Sequence, residues 1–107
     1  DGSVRITGRA DRVIVTGGEK VDPARVEQTL LATGLVREAL VLGMVDATWG
    51  EVVTACVVAG PETEAALRLA CEQLEPAARP RRYAFVPVMP TNASGKPDRA
   101  AIAKLTA

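Results

Sequence analysis

Residues 90–99 combine one cation with residue types that favour a turn. They read Pro90-Thr91-Asn92-Ala93-Ser94-Gly95-Lys96-Pro97-Asp98-Arg99. Asn, Ser, Gly and Pro favour turns over regular structure, and a proline at 97 disfavours the helical conformation at Lys96. A lysine on such a loop has a flexible four-carbon reach and a compact charge, which suits it to meet a phosphate or a carboxylate. On residue types alone, a solvated surface lysine is the commoner case.

A second segment, residues 8–27, joins charged residues to a short apolar strand and a glycine pair. Residues 13–15 are β-branched and predict a strand, and Gly17-Gly18 lets the backbone turn sharply or lets a ligand come close. A phosphate-binding P-loop is excluded because no Gly-Lys-Ser/Thr follows. Asp22-Pro23 then predicts the start of a helix, with Asp22 as its N-cap.

The two segments together resemble motifs of the acyl- and aryl-CoA synthetases, which are adenylate-forming enzymes. The pattern Pro90-Thr91-x-x-Ser94-Gly95-Lys96-x-x-Arg99 is similar to the closing motif of that family. Residues 8–27 resemble its hinge-and-loop signature, and the two lie in the family's order and separation. Two motifs are far more specific than a lone Ser-Gly-Lys. The resemblance covers essentially the whole chain as the small C-terminal domain. Residues 1–10 are expected to be the end of the connecting strand that leads to the hinge, and residues 11–107 are expected to form that domain.

The resemblance implies a role for each segment. Lys96 is expected to be the catalytic cation of adenylate formation. Asp11, with Arg9 beside it, is expected to be the hinge about which the domain rotates. A channel for the thiol-bearing arm of coenzyme A is expected to be lined by Gly17, Gly18, Glu19 and Lys20.

The implied reaction is that of an acid–CoA ligase, in which an acyl-adenylate forms first and an acyl-CoA thioester second. ATP and magnesium are expected on a larger N-terminal domain that this chain lacks, with coenzyme A and a carboxylic acid as further substrates. The fragment alone is therefore expected to be inactive. The Gly-Gly-Glu form of the glycine loop resembles acyl- and aryl-CoA ligases more than peptide-synthetase adenylation domains. The succinylbenzoate ligases of menaquinone biosynthesis are the narrower expectation. Two alternatives stay open, an adenylation domain that loads a carrier protein and a non-catalytic stand-alone interaction domain.

Composition narrows the remaining classes. The chain has 107 residues, enough for one domain, and its 13 basic and 13 acidic residues balance. With no net charge, the chain has no overall electrostatic field that would attract nucleic acid. Three aromatic residues are too few for a surface on which the bases of single-stranded nucleic acid stack. Without histidine or a CxxC pair, a metal centre or a Ser-His or Cys-His nucleophile is not expected. The sequence has no signal-like start and no apolar run that spans a bilayer, so we expect a cytoplasmic protein with no membrane partner. Because it also lacks an initiator methionine, we expect a fragment of a longer enzyme.

The periodicity predicts an α+β domain, a small and mostly antiparallel sheet flanked by about three helices. The resemblance implies that this is the C-terminal lid domain of the adenylate-forming fold. Strands are expected at 3–7, 13–15, 36–43, 51–58 and 83–87, with 36–43 and 51–58 antiparallel. Helices are expected after Asp22, at 62–74 and at 97–105. The side chains expected to face the core are Val26, Leu30 and Leu31, then Ala66, Leu67, Ala70, Cys71 and Leu74, and finally Ala101, Ile102 and Leu105.

Three further residue groups have structural interpretations. Cys56 and Cys71 are expected to behave as small buried hydrophobic residues. Trp49 is expected to cover the sheet edge and is assigned no chemistry. The arginines at 79, 81 and 82 form a basic cluster that is expected to be solvated, with an auxiliary contact to a nucleotide phosphate as the alternative.

Overall fold

A mixed five-stranded sheet organises the chain in the computed structural model, which describes residues 13–48 and 50–106. The strands are β1 (Ile14–Thr16), β2 (Glu19–Val21), β3 (Ala39–Asp46), β4 (Gly50–Val58) and β5 (Arg82–Val86). The helices are α1 (Pro23–Ala32), α2 (Glu64–Ala70) and α3 (Arg99–Thr106). The α+β class predicted from the sequence is confirmed.

The sheet is mostly antiparallel, as predicted, and its order is β2-β1-β4-β3 with β5 also beside β4. Strands β3 and β4 pair antiparallel along their length, from Ala39 opposite Val57 to Asp46 opposite Gly50. Strand β1 meets β4 at one register pair, Thr16 opposite Gly50. Strand β5 runs parallel to the second half of β4. The β1–β2 pair is therefore attached to the larger sheet at one corner.

Alternate residues of β4 point to opposite faces of the sheet, and each face has its own apolar cluster. Val53 and Val57 belong to one cluster, whereas Cys56 and Val58 belong to the other. Helices α1 and α2 cover the first face, which we call the α1–α2 face. Helix α3 covers the second, the α3 face, through the fully buried Ile102.

Helix α1 begins and ends where the sequence predicts. The Asp22 carboxylate accepts a hydrogen bond from the Ala24 N–H at 3.0 Å, and a proline follows it at the first helical position. After the helix, Gly34 has a φ of +75°, the left-handed conformation typical of a helix end. The prediction for Leu31 is wrong, because 43% of it is exposed while Leu30 is fully buried. Consecutive helical residues point about 100° apart, so one of the two leaves the core.

The single helix predicted at 62–74 is wrong in its extent. It is divided into a 3₁₀ turn at Pro61–Thr63, helix α2, and a second 3₁₀ turn at Cys71–Gln73. At its end Leu74 adopts an extended conformation, and the Arg79 side chain donates to the Leu74 carbonyl at 3.1 Å. An arginine side chain five residues further on thus donates to a carbonyl that would accept a backbone N–H if the helix continued.

The inward face of this segment is confirmed only in part. Leu67, Cys71 and Leu74 are buried as predicted, whereas Ala66 is exposed and Ala70 is half-buried. The division into short turns narrows the face that the segment presents to the sheet.

Helix α3 begins at Arg99 rather than at 97, because the Asp98 carboxylate accepts from the Ala101 N–H at 3.1 Å and so caps the helix. Ile102 is fully buried and Ala101 half-buried. Leu105 was predicted to face the core but is 54% exposed. It lies in the last turn, beyond the part of the helix that Ile102 anchors on the sheet.

Strand limits also differ from the predicted ones. Strand β3 occupies Ala39–Asp46 instead of residues 36–43, because its register with β4 fixes where pairing starts and stops. Strand β2, Glu19–Val21, was not predicted as a strand. The parallel partner of β4, β5, lies within one residue of its expected limits.

Both cysteines are free and buried, which confirms their predicted role as small hydrophobic residues. Burial raises the pKa of the Cys56 thiol and that of the Cys71 thiol. The Tyr83 hydroxyl lies 3.9 Å from the Cys71 sulfur on the α1–α2 face.

The predicted strand at 3–7, the hinge residues Arg9 and Asp11, and Trp49 lie outside the described residues. Among the helices that the structure describes, none has the length and apolar character needed to cross a membrane.

Candidate functional site

Lys96 lies on a short loop that closes on itself. Thr91 and Pro97 form an isolated antiparallel bridge at its base. The Asp98 N–H also donates to the Pro90 carbonyl at 3.0 Å, so the two ends of the loop lie next to each other. All residues from Thr91 to Pro97 are exposed. The predicted loop is therefore present, and its lysine faces solvent. We call residues 91–97 the Lys96 loop.

Asn92 holds this loop in shape. Its side-chain oxygen accepts from the Ser94 N–H at 2.9 Å and from the Lys96 N–H at 3.2 Å. Its own N–H donates to the Lys96 carbonyl at 2.7 Å, and its carbonyl accepts from the Gly95 N–H at 2.9 Å. Both backbone groups of Lys96 are thus bonded to Asn92. The sequence marked Asn92 as a turn former, but not as the residue that fixes the lysine.

Gly17 and Gly18 form the two-residue turn between β1 and β2. Their φ values are +57° and +85°, and Thr16 pairs with Glu19 across the turn. Positive φ at both central residues is the geometry of a type I′ hairpin, which glycine adopts without steric cost. A Cβ built on Gly18 would meet no atom within 4 Å, so the tip is open to solvent. We call residues 14–21 the glycine hairpin.

The structure places Glu19 and Lys20 on strand β2 rather than in a loop. Both are exposed, and Lys20 lies opposite Val15. The four residues predicted to line a channel therefore come together as one rigid turn and the strand that follows it.

A carboxylate from β4 reaches the glycine hairpin. Glu51 Oε1 accepts a hydrogen bond from the Val15 N–H at 2.8 Å. Its carboxylate lies over Gly43, where an added Cβ would be 2.9 Å from Glu51 Oε2 and 3.0 Å from Ile14 Cγ2. Sequence reasoning missed Glu51, because its partner lies 36 residues away and no local pattern links the two.

Two small cavities flank the hairpin. One of about 190 Å³ is lined by Thr16, Gly17, Glu19, Pro76, Ala77 and Arg81. Another of about 180 Å³ is bounded by residues of β2, α1 and the 74–78 segment. Pockets that enclose a drug-sized ligand measure about 300–1,000 Å³. The cavities beside the hairpin therefore cannot enclose a nucleotide, although they can border one.

The three arginines of the basic cluster have different surroundings. Arg79 donates to the carbonyls of Leu74 and Glu72 at 3.1 and 2.8 Å. Arg82 lies 3.5 Å from the Asp46 carboxylate, and Arg81 is exposed beside the hairpin. The cluster is thus partly structural, and Arg81 is the member that lines a cavity next to the glycine turn.

The glycine hairpin and the Lys96 loop are anchored on opposite faces of the sheet. Ile14 and Val21 of the glycine hairpin belong to the cluster of the α1–α2 face. Met89 and Ile102, which flank the Lys96 loop, belong to the cluster of the α3 face. The structure therefore brings the hairpin residues together and keeps Lys96 on a separately anchored loop.

Within the described residues, no group of three or more His, Cys, Asp or Glu side chains is placed to hold a metal ion.

Comparison with known proteins identifies relatives for most of the chain. Residues 25–96 match the family described as the AMP-binding enzyme C-terminal domain. The 4-chlorobenzoate–CoA ligase of Arthrobacter sp. is 46% identical over 101 residues, covering 92% of this chain and 19% of the relative. The 2-succinylbenzoate–CoA ligase of Bacillus mycoides is 37% identical over 107 residues, which cover 98% of this chain and 22% of that relative.

Solved structures show the same architecture. The Mycobacterium tuberculosis fatty acyl CoA synthetase superposes with a TM-score of 0.75 at 30% identity, covering 88% of this chain and 19% of that one. The o-succinylbenzoate CoA synthetase of Bacillus subtilis, solved with an acyl-adenylate intermediate, superposes with a TM-score of 0.73 at 34% identity. The match covers 86% of this chain and 19% of that one. The chain thus spans about a fifth of the length of these relatives.

Proposed function

Because the chain belongs to the AMP-binding enzyme C-terminal domain family, we propose that it is the mobile C-terminal domain of an AMP-forming acid–CoA ligase. The observation that carries the proposal is the pair of segments anchored on opposite sheet faces, the Lys96 loop and the glycine hairpin. Each suits one half of a two-step reaction. In this proposal residues 11–107 are the domain and residues 1–10 its connection to a larger N-terminal domain.

Lys96 serves the first half-reaction, in which a carboxylate oxygen attacks the α-phosphate of ATP and pyrophosphate leaves. Two anions approach each other in that step and charge builds on phosphoryl oxygens, so a positioned cation lowers the barrier. The exposed ammonium of Lys96 can enter a pocket on another domain, while Asn92 fixes the backbone from which it extends. Lys96 is therefore the proposed catalytic residue.

The glycine hairpin serves the second half-reaction, in which the coenzyme A thiol attacks the acyl carbonyl and AMP leaves. The open face of Gly18 gives a narrow thiol arm room to pass close to backbone. Gly17, Glu19 and Lys20 complete this wall, and the exposed Lys20 is the proposed contact for a phosphate of coenzyme A.

The first half-reaction needs the Lys96 loop at the active site, and the second needs the glycine hairpin there. Arg9 and Asp11 precede β1 and are the proposed hinge, where a short connection can absorb a large backbone rotation. Rotation withdraws Lys96 and brings Gly18 to the same pocket, so a single domain acts in both steps.

ATP, magnesium and the acid are proposed to bind mainly on the N-terminal domain. Within the described residues no group of three or more His, Cys, Asp or Glu side chains is placed to hold a metal ion, and the two cavities beside the hairpin are smaller than a nucleotide site. An aryl acid is the proposed substrate class, because relatives at 37–46% identity are named for 4-chlorobenzoate and 2-succinylbenzoate. A role in menaquinone biosynthesis is the narrower proposal, and the two succinylbenzoate-specific relatives support it. A cytoplasmic location stays a prediction.

The test uses the full-length protein that contains this chain, with 4-chlorobenzoate and 2-succinylbenzoate as probe acids. Lys96→Ala is expected to slow ATP-dependent pyrophosphate release by about 100- to 1,000-fold, the loss typical of a preorganised charge-stabilising group. Thioester formation from supplied acyl-adenylate should stay near the unsubstituted rate. Lys104→Ala, which removes an exposed lysine from α3, is the matched control and should leave both steps unchanged.

Equal loss in both half-reactions of Lys96→Ala would contradict the proposed role. The acceptor is tested in the same assay by offering coenzyme A and a phosphopantetheinylated carrier protein in turn. If the acyl group is transferred only to the carrier protein, the chain belongs to an adenylation domain that loads a carrier protein and not to a CoA ligase. No adenylate with either aryl acid or with a fatty-acid series would favour a non-catalytic interaction domain.

A further inference from the structure

The glycine hairpin has few backbone links to the rest of the sheet. Strand β1 contributes three residues, and only Thr16 is in register with β4, opposite Gly50. On one side the apolar side chains of Ile14 and Val21 anchor it. Apolar contacts are not directional, so they do not by themselves fix the angle at which the hairpin leaves the sheet.

The hydrogen bond from the Val15 N–H to Glu51 supplies a directional contact. Glu51 follows Gly50 on β4, and its Oε1 lies 2.8 Å from the Val15 nitrogen. Val15 is two residues before the glycine turn, so a change in this bond alters the direction of the tip. A hydrogen bond to a carboxylate is stronger than one between neutral groups.

Gly43 makes room for this contact. The neighbouring strand β3 passes beneath the Glu51 side chain, and a Cβ at position 43 would lie 2.9 Å from both Cδ and Oε2 of the carboxylate. Separations below 3.0 Å force an atom to move, and the mobile group here is the carboxylate. Glycine at 43 and glutamate at 51 therefore form a matched pair, and each is needed to place Oε1 at the Val15 N–H.

We propose that Glu51, seated over Gly43, is a positioning residue for thioester formation, because it fixes the orientation in which the glycine hairpin meets the thiol arm. The inference rests on the proposed function of the hairpin. It assigns no role to Glu51 in adenylate formation, since the Lys96 loop is anchored on the opposite face.

The experiment compares Glu51→Ala, Glu51→Gln and Gly43→Ala in the full-length protein, with 4-chlorobenzoate and 2-succinylbenzoate as probe acids. Glu51→Ala is expected to lower the rate of thioester formation from supplied adenylate by about tenfold, the scale of one hydrogen bond to a charged group. Pyrophosphate release should be unchanged. Glu51→Gln keeps an oxygen acceptor and should recover most of the rate. Glu38→Ala removes an exposed carboxylate from a different part of the chain and should have no effect.

Gly43→Ala separates positioning from a general loss of stability. The added methyl displaces the carboxylate, so this variant should reproduce Glu51→Ala. The double variant Gly43→Ala/Glu51→Ala should be no slower than the more impaired single variant, because both changes remove one interaction. Hydrogen exchange at the Val15 amide should quicken in Glu51→Ala and Gly43→Ala but not in Glu51→Gln.

Additive losses, or no rescue by glutamine, would overturn the inference, as would an equal fall in both half-reactions. The proposed function fails separately. If Lys96→Ala and Gly18→Ala leave both steps at the unsubstituted rate, the function proposed for the domain is wrong. If those two variants separate the steps and Glu51→Ala leaves thioester formation unchanged, only the role of Glu51 is lost.

Discussion

The Lys96 loop and the glycine hairpin are both exposed turns, yet they are held by different means. Asn92, within the loop itself, bonds both backbone groups of Lys96. The hairpin is held instead by a carboxylate 36 residues away and by buried side chains on the α1–α2 face. A loop shaped by its own residues can present its cation in the same form whatever the rest of the domain does. A hairpin oriented through the sheet depends on the packing of the whole domain.

The two apolar clusters should support the two segments separately. Ile102→Ala on the α3 face and Leu67→Ala on the α1–α2 face each create a cavity, expected to cost about 2–5 kcal/mol. Ile102→Ala should speed hydrogen exchange mainly in residues 90–106, and Leu67→Ala mainly in the hairpin and α1. Leu69→Ala, at a side chain that is 66% exposed, is the control. Uniform loss of protection in both core variants would show that the clusters form one cooperative unit.

A smaller effect is expected from substituting Gly18 at the hairpin tip, and Gly34 offers a matched control. Gly18 and Gly34 both have positive φ, and an added Cβ meets no atom within 4 Å at either position. Gly18→Ala and Gly34→Ala should each cost about 1–2 kcal/mol of stability through backbone strain. Only Gly18→Ala should slow thioester formation, measured with supplied acyl-adenylate. If Gly34→Ala slows it equally, the effect comes from stability and the hairpin has no special part.

Asn92 should be replaceable by a residue with the same acceptor. Asn92→Ala removes the side-chain bonds to Ser94 and Lys96 and is expected to slow pyrophosphate release by about fivefold to tenfold. Asn92→Asp retains an oxygen that forms the same turn and should stay near the unsubstituted rate. In a Lys96→Ala background the Asn92→Ala change should add nothing. A further loss there would mean that Asn92 acts by a route other than Lys96.

The smallest effect is expected at the cysteines, which belong to opposite faces. Cys71 lies in the cluster of the α1–α2 face and Cys56 in that of the α3 face, and burial raises the pKa of each thiol. Little thiolate forms at pH 8, so alkylation by iodoacetamide should be slow in the folded protein and fast in denaturant. Mass spectrometry of each cysteine peptide measures both rates. Faster labelling of one cysteine would identify the face that opens more often.

Turns were the most predictable part of this chain. Asp22 as a cap, Gly34 beyond α1 and the turn at Gly17-Gly18 follow from the conformations that those residue types favour over a few neighbouring positions. Side-chain burial was less predictable. Leu31 and Leu105 follow the helical period, but their helices present narrower faces to the sheet than the sequence pattern indicates.

The two motifs, the resemblance that they carry and the local form of the turns follow from the amino-acid sequence alone. Glycine, proline, asparagine and aspartate each restrict or cap the backbone within a few residues of their own position. Three features follow only from the folded structure: β5 lies parallel to β4, the Lys96 loop and the glycine hairpin are anchored on opposite faces, and Glu51 passes over Gly43 to reach Val15. Those features join residues far apart in the chain. Their geometry depends on strand register and side-chain packing, which no local pattern of residues contains.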